Sequence, residues 1–106
     1  MAAAEAELAP LPPEERVALL HAVEKLVALG PTLPYPHTSA VRGTTAVREL
    51  RPRSGHSAWR APYTRLGDRF VILTIAPESR LDPPGFRAAV RRAEERLAAL
   101  RRGGSE

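Results

Sequence analysis

The chain has 106 residues, enough for one domain with a single core, and no cysteine, which excludes disulfides, thiolate metal sites and a cysteine nucleophile. Its formal net charge is +4, and all but one of its 16 basic residues are arginine. The charge is uneven: the first 31 residues hold more acids than bases, whereas from Arg42 to Arg69 seven arginines face only Glu49 and Asp68. A basic centre behind an acidic start points to a local anion site, although a coding bias replacing Lys by Arg accounts for part of the same composition. His21, His37 and His56 lack ligand-like spacing, so neither a metal site nor a cofactor is expected. No apolar run approaches the roughly 20 residues of a membrane span. The Ala-rich start lacks the basic flank and apolar core of a signal peptide, which gives a cytoplasmic reading without membrane contact.

Met1 to Leu11 is weakly patterned and is expected to be frayed or loosely docked. Pro12 and Pro13 suit a helix start, where a missing N–H costs nothing, and Glu14 and Glu15 complement the helix dipole. Leu19, Leu20, Ala22, Val23, Leu26, Val27 and Leu29 form an apolar arc opposite His21, Glu24 and Lys25, and Gly30-Pro31 is a stop. Three prolines in six residues make Pro31 to Gly43 an extended crossing segment, with Tyr35 packed on the core.

Three strands follow. Ala46 to Arg51 alternates weakly and ends in the turn-rich loop Pro52 to Ser57. Trp59 to Leu66 puts Trp59, Ala61 and Tyr63 on one face and Arg60, Thr64 and Leu66 on the other. Pro62 removes a ladder donor, so a bulge or an unpaired side is expected there. Gly67-Asp68 makes a hairpin turn into Phe70 to Ile75, an apolar run expected to be buried on both faces. Asp82 is positioned to cap a last helix entered through Pro83 and Pro84. That helix carries Phe86, Ala89, Val90, Ala93, Leu97 and Leu100 on one stripe and a charged, solvated face, and ends at Arg101-Arg102-Gly103-Gly104. The expected fold is α+β: a three-stranded antiparallel meander, with room for a fourth strand, packed with an N-terminal and a C-terminal helix in one domain.

Leu29-Gly30-Pro31-Thr32-Leu33…Pro36, Arg48-Glu49-Leu50-Arg51 and Trp59-Arg60-Ala61-Pro62-Tyr63, followed by the apolar Val71 to Ile75, occur in an order and spacing similar to one known family. The chain resembles the RelE/ParE toxin superfamily, and most of all its HigB-like, phage-related branch, from about Pro12 to Leu100. The resemblance implies a small toxin of a type II toxin–antitoxin system. Its expected partners are a cognate antitoxin, the ribosome and mRNA, and its expected activity is ribosome-dependent mRNA cleavage without a metal. A ParE-like gyrase binder, or a degenerate toxin that only binds its antitoxin, is the alternative within the same fold; a basic nucleic-acid-binding module is a third. The branch carries a strand before the first helix that Met1 to Leu11 does not supply. The edge so exposed would be covered by an antitoxin segment or by a second copy in a homodimer.

RNA cleaves when its 2′-hydroxyl attacks the adjacent phosphate, and a protein assists by orienting that attack and neutralising the phosphorane. Arginine forks suit phosphate oxygens. By motif position Arg51 and Arg60 are expected as phosphate clamps, with carboxylate pairing to Glu49 or Asp68 as the competing reading. Tyr63 is placed for base stacking, proton transfer or plain core packing. His56 is a candidate acid or base, or an exposed loop residue. Arg48, Arg53 and Arg65 are expected backbone contacts. After the apolar strand relatives carry a basic pair, for which only Arg80 stands in.

Overall fold

A computed structural model describes residues 2–103 of the chain. Helix α1 (Ala2–Leu8) leads into α2 (Pro13–Leu29), whose first turn holds Glu14 and Glu15. Gly30 ends α2 with φ +56, a conformation that a side chain would strain, and returns its N–H to the Leu26 carbonyl. The start of the chain is not loosely docked as expected. Ala4 and Leu11 are buried, and Glu7 accepts the Ile75 N–H at 3.1 Å and Arg96 Nη2 at 2.7 Å; Met1 lies outside the described residues. An ion pair spanning most of the sequence leaves no local pattern to read. In α2, Leu19 and Leu26 are buried with Ala22 and Val23 against them, but Leu20, Val27 and Leu29 face out. The sheet covers a narrower arc than the apolar residues offer.

The sheet is antiparallel, ordered β1 (Thr38–Ala40), β2 (Arg48–Leu50), β3 (Trp59–Leu66), β4 (Arg69–Ile72), with β5 (Ala76–Pro77) pairing β3 beyond the end of β4. Strand β1 comes from the crossing segment, where three residues beyond the prolines are too few to show a period. Tyr35, expected in the core, is 72% exposed. The run Phe70 to Ile75 is not one strand. Tyr63 lies opposite Ile72 and Arg60 opposite Ala76, so three steps along β3 match four on its partner, a one-residue bulge across Leu73–Ile75. Pro62 explains the break. Its carbonyl accepts the Leu73 N–H at 2.8 Å, and a residue's N and O point to the same neighbour in an antiparallel ladder. The missing proline donor therefore falls on the bulged side.

Alternation along the strands divides the core in two. Leu50, Ala61, Tyr63 and Ile75 pack with Leu11, Leu19, Leu26 and Leu33 on the α1–α2 side. Val41, Val47 and Leu73 pack with Ala93 and Leu97 of α3 (Pro83–Gly103) on the other. Asp82 Oδ1 caps α3 by accepting the Gly85 N–H at 3.0 Å. Gly104, half of the expected helix stop, lies outside the described residues. The charged face of α3 is not wholly solvated, because Arg92 and Arg96 both reach Glu7. The result is an α+β fold with the N-terminal helices packed on one sheet face and the C-terminal helix on the other, α1 and α3 meeting through Glu7.

Candidate functional site

Arg60 of β3 sits on the opposite sheet face from Tyr63, three residues along the strand. Glu49 is opposite Pro62 on β2, which makes it a diagonal neighbour of Arg60 on the same face. Arg60 is 1% exposed, and its four terminal N–H groups all meet protein acceptors. Nη1 donates to the carbonyls of Ser57 (2.6 Å) and Trp59 (2.9 Å), and Nη2 to Gly55 O (3.2 Å) and Glu78 Oε2 (3.0 Å). Nε lies 3.5 Å from Glu49 Oε1. Neither terminal nitrogen has a donor left over for a phosphate.

Arg51 and Arg80 are placed differently. Arg51 Nη1 reaches Glu49 Oε2 at 3.3 Å, its Nε donates to Pro36 O, and its guanidinium lies 5.6 Å from the centre of the Tyr35 ring. Arg80, 85% exposed, touches Glu78 Oε2 at 3.3 Å. With Gly55 and Ser79 these residues enclose a cavity of about 250 Å³. Burial pushes the Glu49 carboxyl above its ordinary range, more than the Arg51 and Arg60 charges pull it down, and Glu78 adds to the rise. Burial and the nearby Arg51 charge push the Arg60 guanidinium down, against the pull of Glu49 and Glu78.

On the other sheet face a second cleft, of about 450 Å³, is lined by Thr38, Arg48, Tyr63, Arg65, Phe70 and, from α3, Arg101. No acidic residue lines it. The Tyr63 hydroxyl is buried against Thr38 Oγ1 at 2.7 Å, and Arg48 Nε donates to the same oxygen at 3.2 Å. Arg65 stacks 6.0 Å from the Phe70 ring centre.

The loop between β2 and β3 is a tight turn with Arg53 and Ser54 at positive φ. Arg53 clasps it to α2 through Glu15 Oε2 (2.9 Å) and Glu14 O (3.2 Å), while Ser57 Oγ donates to Glu15 Oε1 at 2.8 Å. The Ser57 hydrogen bond, helped by Arg53, holds the Glu15 carboxyl below its ordinary value despite its desolvation. His56 is exposed, its Nδ1 2.9 Å from Arg53 O, and lines neither cavity.

Thus the fold gathers Arg51, Arg60 and Arg80 on one side of the sheet and Arg48, Tyr63 and Arg65 on the other, and leaves Arg53 and His56 apart from both groups. The pairing of Arg51 and Arg60 with Glu49 is the competing expectation from the sequence; Asp68 takes no part. Glu78, Thr38 and Arg101 give no sequence signal, since β1 and β5 pairing and the end of α3 bring them in. Glu49 did: it is the one acid between Arg42 and Arg65. Among the described residues no group of three His, Asp or Glu side chains is placed to hold a metal ion.

Comparison with curated proteins finds no match. The family described as "Phage derived protein Gp49-like (DUF891)" matches residues 6–77, from within α1 to the end of β5. That span includes Glu49, Arg51, Arg60 and Tyr63 and covers well over half of the chain. The chain therefore belongs to the Gp49-like family of phage-derived proteins, a family related to the RelE/HigB-like toxins.

Proposed function

We propose that this chain is the toxin of a toxin–antitoxin pair and that it cuts mRNA on the ribosome at the Glu49 cavity. One observation carries the reading: Glu49, a carboxylate made more basic by burial, shares one cavity with Arg51 and Arg80, two arginines that have donors to spare. A raised carboxylate is the better proton acceptor at neutral pH. Glu49 takes the proton of a ribose 2′-hydroxyl, whose oxygen attacks the adjacent phosphorus. The 5′-oxygen of the next nucleotide leaves and takes a proton from solvent, giving a 2′,3′-cyclic phosphate and a 5′-hydroxyl. Arg51, exchanging Glu49 for the phosphate, and Arg80 at the rim neutralise the phosphorane. Arg60 is the brace that fixes Glu49 and Glu78 from beneath. Arg48, Arg65 and Arg101 supply a separate track for backbone phosphates. Induced expression tests this: the chain arrests growth, Glu49→Gln and Arg51→Ala relieve the arrest at equal protein level, and arrest by both variants rules the reading out.

A second reading, a non-enzymatic toxin that binds gyrase or only its antitoxin, draws on the saturation of Arg60 and the engagement of the Tyr63 hydroxyl by Thr38. It predicts inhibition of DNA supercoiling, or no toxicity, with mRNA intact.

A further inference from the structure

A further cavity, of about 540 Å³, adjoins the Glu49 site and shares Arg51 with it. It is a groove between α2 and the β1–β2 end of the sheet, floored by Val17, Ala18, Ala22, Leu33 and Leu50. Val17 is half exposed there. Lys25, Arg51 and Arg53 stand on the rim with His21 and His37, against Glu14. Lys25 has no carboxylate partner among the described residues, and Arg51 and Arg53 each meet a single one. We propose that this groove docks an acidic amphipathic segment of a second protein, its apolar side on the α2 floor and its carboxylates on Lys25, Arg51 and Arg53.

The chemistry of the lining selects the class of partner. A single-stranded nucleic acid stacks its bases on broad aromatic faces, and no Phe, Tyr or Trp lines the groove. An apolar floor with a cationic rim fits an amphipathic peptide whose leucines descend and whose glutamates reach outward. Arg51 also lines the Glu49 cavity, so the two sites share one guanidinium. A carboxylate that draws Arg51 toward the groove takes it from Glu49 and from any phosphate there. This consequence rests on the RNA-cutting reading above; the docking itself does not.

Fluorescence anisotropy tests the docking with a labelled peptide of about 18 residues, five helical turns, built of Leu on one face and Glu on the other. The acidic peptide binds about tenfold more tightly than its Lys-for-Glu counterpart. Ala18→Glu and Lys25→Glu each weaken it about tenfold, while Val27→Glu, exposed on the same helix outside the groove, leaves it unchanged. Circular dichroism confirms that each variant is folded. Absence of binding, equal binding of the basic peptide, or an equal loss with Val27→Glu overturns the proposal. Because anisotropy needs no RNA cleavage, failure of the groove and failure of the nuclease reading are separable.

Discussion

Arg60→Ala is the substitution whose cost the structure fixes best. The guanidinium is buried, pairs with Glu49 and Glu78, and satisfies three carbonyls of the β2–β3 loop and β3. Removing one partner of a buried ion pair costs about 3–5 kcal/mol, because the other charge stays behind. Glu49 keeps Arg51 and Glu78 keeps Arg80, which holds the loss within that range rather than above it. A domain of this size has a total stability of about 5–15 kcal/mol, and each kcal/mol moves Tm by roughly 4–8 °C. Arg60→Ala therefore lowers Tm by about 12–40 °C and moves the urea midpoint at nearly unchanged slope. Changing the three charges together (Arg60→Met, Glu49→Gln, Glu78→Gln) recovers part of the loss, since no buried carboxylate is left without its arginine, while Arg51 and Arg80 turn to solvent. The Arg60→Ala penalty also shrinks as pH falls: a carboxylate with a raised folded pKa costs stability above that pKa and costs none below its ordinary 4.5. A Tm loss under about 3 °C at pH 7 would refute the assignment of Arg60 as a brace.

Three other outcomes follow from the contacts. Burial pushes the Glu7 carboxyl up, but hydrogen bonds from Arg96 and the Ile75 N–H, with the Arg96 and Arg92 charges, bring it below its ordinary 4.5. Its stabilisation is therefore present above 4.5 and lost as pH falls through the folded value. Glu7→Gln costs about 1–2 kcal/mol at pH 7, and the gap to the parent closes in acid, read from urea melts across pH. Tyr63→Phe removes the hydroxyl bonded to Thr38, costs about 1 kcal/mol in the same melts, and leaves RNA cleavage within about threefold; a loss of a hundredfold would make Tyr63 a proton carrier. Arg48→Ala with Arg65→Ala reduces the slope of log affinity for single-stranded RNA against log salt by about 1.4, two phosphates at roughly 0.7 each.

Features with a local cause were legible before the fold was known. Pro12-Pro13 and Gly30 bound α2, Gly67 turns β3 into β4, and Trp59–Leu66 stands where its alternation puts it. The conflict at Pro62 was legible too, though not that the extra residue would fall across Leu73–Ile75. Strand β1 was hidden because its neighbour β2 supplies its definition, and α1 because Glu7 is anchored by Arg96, far along the chain. At the candidate site, motif position singled out Arg51, Arg60 and Tyr63, and strand alternation set Arg60 on the face opposite Tyr63. A separation of three positions puts Arg60 and Tyr63 on opposite sides of the sheet, a consequence of strand period that was available from sequence. That Glu49 would hold both arginines, and be raised by burial in doing so, depends on β5 and Glu78 closing over it, which no local pattern encodes.

Mapping RNA ends after incubation with translating ribosomes tests the central claim most directly. With purified protein and a defined mRNA, the parent produces fragments ending in 2′,3′-cyclic phosphate, and Glu49→Gln, folded to the same Tm within a few degrees, produces none above background. Cleavage by Glu49→Gln at the parent rate, or intact mRNA with the parent, would contradict it.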